Sequence, residues 1–363
     1  MKSIIQLISL TLFSILFSFI ICELAFRAYS GKTVFQLVDY QHENAIPIDV
    51  EGAAAYDKIL GWRMRSNFKS EMMNTIEFGI RRNYEKHNKV RQGAIMVVGA
   101  SFAAGSEVRD EEAFPAYLEK LTGMPVENVA SGGYSMDQIT LRAEEMLPHI
   151  KPSIVIVDIA FDNIVASKYS INGRPKPYFK ISEGKLNLYN VPVPKDVTLE
   201  QRSIVHNFFN YLLVYDRTIA TFFPEKYLIT PSIIGIREVD VDTVDLACLL
   251  FERMKKQMDP MGIKLGVNWQ YGSGYVPFMP PVPREASEVQ ECLTKMGIPY
   301  ADELKRMRQL HDAKNGSYEG QYMNHPGGIL GHKSPKGNLD VAYDVIELLE
   351  RMTNKKIPIN AID

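Results

Sequence analysis

The stretch Ala94-Ile95-Met96-Val97-Val98-Gly99-Ala100-Ser101-Phe102-Ala103-Ala104-Gly105 carries the clearest structural signal in the chain. A short apolar run, partly β-branched, stops at a glycine, which is typical of a strand buried on both faces of a sheet. A serine follows the carboxyl end of this strand, where open α/β sheets place their ligand crevices. A Gly-Ser pair can also serve only to turn the chain out of a strand. The stretch therefore predicts an α/β fold and makes Ser101 a candidate site residue.

Strand and helix patterns alternate along the rest of the chain, which predicts a parallel sheet covered by helices. The expected fold class is α/β, a three-layer α/β/α sandwich with a mainly parallel sheet. Asp158, a charge inside an apolar strand, is interpreted either as support for the crevice floor or as a hydrogen-bonded edge position. Strands are expected near 94–98, 126–130, 153–160, 263–269 and 298–301, and helices near 112–121, 136–148, 285–296 and 335–353.

The N-terminal segment is apolar enough to cross a membrane. Between Lys2 and Glu23 the chain carries no charge, and about 19 apolar residues span a bilayer as a helix. A cleaved signal peptide is the alternative, but no Ala-x-Ala site follows the segment. We therefore predict a single-pass membrane anchor over residues 1–28, a lead-in segment over 29–90 and a folded domain over 91–355.

Composition excludes several classes of function. The 363 residues are 46% hydrophobic and carry a formal charge of −2, so no global field favours nucleic acid as a partner. Of the three cysteines, Cys22 lies in the apolar segment. Cys248 and Cys292 are expected to be unpaired core residues, with a disulfide as the alternative in an oxidising compartment. No Cys/His cluster has zinc-site spacing, so we expect no metal and no cofactor.

A histidine near the end of the chain completes a recognisable pattern. His332 stands in Gly331-His332-Lys333-Ser334-Pro335-Lys336-Gly337, ahead of a helical pattern, and two further blocks separate it from Ser101: Asn128–Gln138 and Phe161–Ile164. With four blocks in this order, the chain resembles the SGNH/GDSL hydrolase superfamily from about residue 55 to 352. The first block of that family is normally Gly-Asp-Ser, and the last is normally Asp-x-x-His.

The resemblance implies serine chemistry on acyl esters. It assigns Ser101 as nucleophile, His332 as general base, and an oxyanion hole made of the Ser101 and Gly133 N–H groups with a side chain at Asp162 or Asn163. The implied activity is ester hydrolysis or O-acyl transfer, on a small-molecule or glycan ester such as an O-acetyl group of a cell-surface glycan. The implied location is a membrane-anchored domain outside the cytoplasm.

The chain departs from the family pattern at three positions. Ala100 replaces the Asp before the serine, and the usual Asn-Asp of the third block reads Asp162-Asn163. Either Asn163 or a protonated Asp162 would then have to donate to the oxyanion. Ile329 stands where the Asp before the histidine is expected.

The missing acid leaves the partner of His332 open. A backbone carbonyl, Asp302 or Asp312 could orient the imidazole, or the site could be a Ser–His dyad. His325 is the only rival to His332 as the base. A non-catalytic protein that kept the fold and lost the chemistry is the alternative function.

An insertion at about 170–258 interrupts the alternation of strands and helices. Residues 176–181 and 185–190 read as a β-hairpin, and a mostly helical segment follows over 198–258. The insertion is interpreted as a lid, as a substrate-binding wall or as a packing elaboration. A third hypothesis is a glycan-binding surface that uses Tyr178, Phe179 and Tyr189.

Overall fold

The computed structural model describes residues 2–29, 52–172, 174–195, 239–273, 282–314, 318, 320–325 and 329–361. The chain divides into two units, Met1–Ile46 with Val197–Gly235 and Pro47–Asp196 with Ile236–Asp363. In the first unit the described residues form one helix, α1 (Lys2–Tyr29). Its segment Gln6–Tyr29 has a mean hydropathy of 2.3 and is long and apolar enough to span a membrane, although a signal sequence has the same properties.

The second unit contains the elements of an α/β protein. The first half has β1 (Ala54–Asp57), β2 (Gly61–Met64), β3 (Ile95–Gly99), α2 (Ser101–Ala104), α3 (Phe114–Thr122), β4 (Val126–Asn128), α4 (Met136–Ile150), β5 (Ile154–Ala160), α5 (Phe161–Val165), β6 (Ile171–Asn172), β7 (Arg174–Pro175), β8 (Tyr178–Ser182) and β9 (Lys185–Tyr189). The second half has α6 (Thr243–Met258), β10 (Lys264–Gln270), α7 (Arg284–Lys295), β11 (Tyr300–Asp302), α8 (Leu304–Ala313), β12 (Tyr322–His325), β13 (Ile329–Lys333) and α9 (Pro335–Thr353).

The central sheet has five parallel strands in the order β11-β10-β5-β3-β4. Because successive side chains of a strand point to opposite faces, β3 supplies both sides of the core. Met96 and Val98 belong to one apolar cluster, and Ile95 and Val97 belong to the other. This two-sided burial explains why the strands read as continuous apolar runs, and it confirms the predicted mainly parallel sheet.

Helices cover both faces of the sheet. On one face α4, α6 and α7 contribute buried side chains such as Ile139, Leu250 and Val289. On the other face α3 and α9 pack together and contribute Leu118 and Val345. The predicted three-layer sandwich is therefore confirmed.

The last helix, α9, has clear end signals. The Ser334 side chain accepts a hydrogen bond from the Gly337 N–H at 3.0 Å, and Pro335 fills the first helical position. Both features stabilise a helix start. Asn354, in the left-handed region, ends the helix, and the bounds match the sequence prediction of 335–353.

Of the remaining elements, some match the sequence prediction and others do not. The hairpin predicted at 176–190 forms as β8–β9, and the part of the predicted helical segment that is described contains α6, which packs on the sheet. The remainder of that segment, 198–238, lies outside the described residues. Helix α8 and the hairpin β12–β13 were not expected, although Leu304, Met307 and Leu310 give α8 an apolar side at helical spacing.

Cys248 and Cys292 form a disulfide between α6 and α7, with their Cα atoms 6.0 Å apart. The expectation that both are unpaired core residues is therefore wrong. Their spacing of 44 residues gave no short-range signal. The pairing follows from the packing of the two helices on the same face of the sheet.

Replacing Cys248 by serine is expected to lower the free energy of unfolding by roughly 2–4 kcal/mol, because the cross-link restricts the unfolded chain. Urea unfolding of the full-length protein in detergent, followed by circular dichroism, measures the change. Cys22→Ser is the matched control, since Cys22 is a free, exposed cysteine in α1. Equal stability of the Cys248 variant and the parent under oxidising conditions would contradict the structural role of the disulfide.

Candidate active site

Ser101 occupies the first turn after β3, an interior strand of the sheet. It is the first residue of α2, and the preceding Gly99 allows a close approach of β5: a Cβ at Gly99 would lie 2.6 Å from the Asp158 carbonyl oxygen. The Gly99 carbonyl accepts a hydrogen bond from the Ser131 N–H at 3.2 Å. This contact joins the first and second sequence blocks at the carboxyl end of the sheet.

Arg81 fixes the segment that follows Ser101, which we call the Ser101 loop (residues 99–108). Its guanidinium is 1% exposed and donates to the carbonyl oxygens of Gly105 at 2.6 Å and Val108 at 2.7 Å. It also donates to the Ala104 carbonyl and pairs with the Asp110 carboxylate at 3.2 Å. A buried cation with all these acceptors holds the loop in one conformation.

Glu107, in the Ser101 loop, contacts His332. Its Oε1 lies 2.9 Å from His332 Nδ1, and its Oε2 accepts the His332 backbone N–H at 3.0 Å. An ionised carboxylate only accepts hydrogen bonds, so this contact places the ring proton on Nδ1 and leaves Nε2 as the basic atom. Nε2 makes no hydrogen bond to any residue in the described part of the chain.

Asp302 and Asp312, the carboxylates suggested by sequence as partners of His332, lie elsewhere. Asp302 accepts hydrogen bonds from Gln290 at 2.8 Å and from Tyr271 at 3.3 Å. Asp312 lies 3.4 Å from His311. Those two suggestions are therefore wrong. The carboxylate beside His332 belongs to Glu107, in the Ser101 loop.

The backbone and the carboxyl of Glu107 are both unusual. Its φ of +73° lies in the left-handed region, which costs energy for a residue with a side chain and persists where the surroundings enforce it. Partial burial opposes ionisation, but the hydrogen bonds from His332 hold the pKa of Glu107 below its usual range. The carboxylate is therefore ionised throughout the neutral range.

Glu107 also contacts the rival histidine. His325 Nε2 lies 3.2 Å from Glu107 Oε2, across the hairpin β12–β13 from His332. Gly331 makes this arrangement possible, because a Cβ there would collide with the Glu107 carboxylate and the His325 ring. The His332 ring also contacts Phe102, the residue after Ser101, with the ring centroids 5.3 Å apart.

The Ser101 hydroxyl is not yet engaged in this arrangement. It makes no hydrogen bond within 3.5 Å to His332 or to any other described residue. Catalytic hydrogen bonds are often long in the absence of substrate and tighten in the complex. The chain thus brings the two side chains to neighbouring positions, on α2 and on β13, without a direct contact.

A buried ion pair anchors the strand that carries His332. The Lys333 ammonium lies 2.8 and 2.9 Å from the two Glu303 carboxylate oxygens, and both side chains are 1% exposed. Removing one partner of such a pair leaves an uncompensated buried charge, which is strongly destabilising. The pair therefore fixes the position of β13 relative to β11 and α8.

Gly133 lies in a tight turn after β4, with a φ of +76°. The Trp62 indole N–H donates to the Gly132 carbonyl at 2.9 Å, and the Tyr134 hydroxyl donates to the Trp62 carbonyl at 2.7 Å. Residues of the segment before β3 thus pack on this turn, and Trp62 is 4% exposed. The N–H groups of Ser101 and Gly133 donate to no residue in the described ranges.

The third block places Asp162 and Asn163 differently. Asn163 uses its amide locally, since Nδ2 donates to the Tyr134 carbonyl at 2.8 Å and Oδ1 accepts the Ala160 N–H at 2.7 Å. Asp162 is exposed, yet the protein around its carboxyl removes enough water to raise its pKa. One Nδ2 hydrogen of Asn163 is uncommitted, so Asn163 and Asp162 are both candidate donors to an oxyanion.

Asp158 lies beneath the site. It is buried in β5, an interior strand, so the edge-strand interpretation is wrong. Its Oδ1 accepts hydrogen bonds from Asn268 at 2.6 Å and Gln270 at 2.8 Å. Burial raises the pKa of Asp158 to about 7, although these two donors act in the opposite direction.

No protein-family model matches the chain, and no curated protein matches it. Solved structures do match. The chain is similar in fold to G-D-S-L hydrolases. One matched structure, described as a lipolytic protein of the G-D-S-L family from Desulfitobacterium hafniense DCB-2, has a TM-score of 0.36 and 12% identity, and the match covers 71% of this chain and 99% of that chain.

Two matched esterases complete the comparison. The acetylxylan esterase Axe2 from Geobacillus stearothermophilus has a TM-score of 0.40 and 10% identity, and the match covers 72% of this chain and 96% of that one. The esterase EstA from Pseudoalteromonas sp. has a TM-score of 0.39 and 9% identity, with coverage of 73% and 100%.

Glu107 is the site residue that sequence reasoning missed. The G-D-S-L pattern directs attention to the third position before the histidine, which is Ile329 here. The signal that could have found Glu107 is its place as the only acid in the Ser101 loop. Nothing in the chain order indicates that the hairpin β12–β13 folds back onto that loop.

Proposed function

We propose that the chain is a serine-dependent ester hydrolase. Ser101 is the proposed nucleophile and His332 the proposed general base, with Glu107 in place of the usual acid. The observation that carries the proposal is the 2.9 Å contact between His332 Nδ1 and the carboxylate of Glu107, which lies in the Ser101 loop. A carboxylate at Nδ1 fixes the tautomer that a base at Nε2 requires.

The proposed reaction has two steps. In the first step Ser101 Oγ attacks the acyl carbonyl while His332 Nε2 takes the hydroxyl proton. The bond to the alcohol then breaks, and His332 returns the proton to the departing alcohol. In the second step water attacks the acyl-Ser101 ester with the same base, which releases the acid and restores the serine.

Negative charge on the carbonyl oxygen requires donors. The proposed donors are the N–H groups of Ser101 and Gly133, which have no described partner, and the carboxyl of Asp162. Such prepositioned donors stabilise the oxyanion. A carboxyl with a raised pKa can donate while it keeps its proton, and it becomes a repelling anion once it ionises.

The proposed substrate is an acyl ester of a small molecule or of a cell-surface glycan, with O-acetyl as the simplest acyl group. The proposed location is outside the cytoplasm, with α1 as the membrane anchor. Two observations support this location: the 24-residue apolar segment Gln6–Tyr29 and the disulfide between Cys248 and Cys292. Disulfides persist in oxidising compartments. A sugar hydroxyl in place of water would make the same site an O-acyltransferase.

Turnover of p-nitrophenyl acetate by the full-length chain in detergent tests the proposal. We expect saturable release of nitrophenolate that a fluorophosphonate abolishes, because these reagents block activated serines. Adding a sugar acceptor and measuring acetyl sugar against free acetate distinguishes transfer from hydrolysis. Release that a fluorophosphonate leaves unchanged would contradict serine catalysis.

Asp162 gives the proposal a pH dependence. As the pH rises through the raised pKa of Asp162, the carboxyl loses its proton and no longer donates to the oxyanion, so kcat/KM of the parent is expected to fall. An amide donates at every pH, so Asp162→Asn is expected to exceed the parent by about 10-fold or more at alkaline pH and to equal it at low pH. The pH profile of kcat/KM measures this difference.

Asp245→Asn, which removes an exposed carboxylate on α6, is the matched control and should reproduce the parent profile. Lower activity of Asp162→Asn at every pH would show that the carboxylate itself is required. That result would exclude the donor role.

A further inference from the structure

Arg174, on β7, is a half-buried cation without a counter-charge. Its guanidinium carbon lies 6.0 Å from the centre of the Trp62 ring, and this cation–π contact is its only side-chain interaction with the described residues. Several other arginines that are at least partly buried do contact a carboxylate, among them Arg63, Arg81, Arg91, Arg142 and Arg306.

The lack of a partner makes Arg174 a site for an anion. Burial lowers the pKa of Arg174, yet a guanidinium stays protonated at neutral pH. A charge that has lost water without gaining hydrogen bonds is unfavourable. An anion that reaches Arg174 would therefore replace the missing water and form charge-assisted hydrogen bonds, in the two-pronged geometry that suits a carboxylate.

Two hydrogen bonds of its neighbours place Arg174 near Gly133, whose backbone N–H is a proposed donor to the oxyanion. Trp62, on whose ring it rests, donates to the Gly132 carbonyl at 2.9 Å. Asn172, its partner on β6, donates to the Gly133 carbonyl at 3.2 Å. The free cation thus flanks the turn whose N–H faces the reacting ester in the proposed mechanism.

We propose that Arg174 binds an anionic group on the ester substrate, and that this group is a carboxylate. This inference rests on the proposed ester hydrolysis and specifies its substrate class. A single guanidinium matches a single negative charge.

Paired esters that differ only in charge test the inference. p-Nitrophenyl hemiglutarate is compared with p-nitrophenyl valerate, which places the carboxylate on the acyl side. O-acetyl-4-hydroxybutyrate is compared with butyl acetate, which places it on the alcohol side. In at least one pair we expect the parent to prefer the anionic ester, and Arg174→Gln to lower kcat/KM for that ester by about 10- to 100-fold.

The neutral ester of the same pair should change by less than about threefold in Arg174→Gln. Arg174→Lys retains the charge and should retain part of the preference. Arg351→Gln is the matched control, because it removes the same charge at the far end of α9, about 24 Å along the helix from Pro335. It should leave both esters unchanged.

The outcomes separate the two proposals. If the parent hydrolyses none of the esters, the proposed function fails. If the parent hydrolyses them and Arg174→Gln lowers the anionic and neutral esters equally, or lowers neither, the anion site is overturned. Thermal unfolding of each variant shows whether an equal loss reflects misfolding. If Arg174→Gln is misfolded, Arg174→Lys provides the test: a retained preference for the anionic ester supports the anion site, and a lost preference overturns it.

Discussion

Ser101→Ala is expected to lower kcat for an activated acetyl ester by on the order of 10⁴-fold or more, because it removes the atom that forms the acyl-enzyme. The free N–H of residue 101 remains in the variant, so substrate binding and part of the oxyanion stabilisation should survive. KM is therefore expected to change little. Steady-state kinetics of the purified full-length protein measure both parameters.

Ser106→Ala is the matched control for this substitution. Ser106 lies in the same loop, and its backbone N–H donates to the Ser101 carbonyl at 3.0 Å, an interaction that alanine preserves. The control should turn over the ester at the parental rate. Parental turnover by Ser101→Ala would show that the loop serves only to turn the chain out of β3.

Glu107→Gln is expected to lower kcat by roughly 10²- to 10⁴-fold with little change in KM. Glutamine keeps the shape of the side chain, but it has no charge to stabilise the imidazolium that forms when His332 takes the Ser101 proton. Its amide can also present a donor to Nδ1, which favours the unproductive tautomer. Kinetics and thermal unfolding of the variant together measure the effect.

The pH profile distinguishes this positioning role from a structural one. The pKa of Glu107 lies below its usual range, so the parental carboxylate is ionised in any assay between about pH 6 and 9. The defect of Glu107→Gln should therefore persist across that range, and Glu107→Asp should recover part of the activity. Glu111→Gln, which removes an exposed carboxylate four residues later, should behave as the parent.

The ionisation of Glu107 makes the free energy of unfolding depend on pH in a defined direction. A carboxyl whose pKa is lower in the folded state contributes stability above its unfolded pKa and loses that contribution as the pH falls through the folded value. The contribution of Glu107 is therefore complete at neutral pH and is lost in acid, below the ordinary range of a glutamate. If Glu107→Gln leaves the unfolding midpoint unchanged at neutral pH, the contact between Glu107 and His332 contributes to catalysis and not to stability.

The parts of the fold that sequence predicted are those in which local pattern and tertiary packing agree. The apolar run before Gly99 predicted a strand because both of its faces are buried. Helix α9 was predicted because Ser334 and Pro335 form a typical start signal. The pairing of Cys248 with Cys292 was not predictable, because it depends on which helices share a face of the sheet.

The site was predictable to a smaller extent. Ser101 and His332, the proposed catalytic pair, follow from motif order, and the contact between Phe102 and His332 brings their two segments together. Glu107 could not be assigned, because its partner comes from a hairpin of short polar strands more than two hundred residues away in sequence. Arg174 gives no sequence signal at all, since only the packing shows that it has no counter-charge.

The central claim is that Ser101 is an activated nucleophile, and covalent labelling tests it most directly. The full-length protein is treated with a fluorophosphonate, digested with trypsin and analysed by tandem mass spectrometry. Cleavage after Arg91 and Arg109 yields a peptide that contains both Ser101 and Ser106, so fragmentation assigns the adduct to one of them. We expect one adduct, on Ser101, that is absent in Ser101→Ala and forms more slowly in Glu107→Gln. An adduct on another residue, or an active protein whose Ser101 stays unmodified, would contradict the claim.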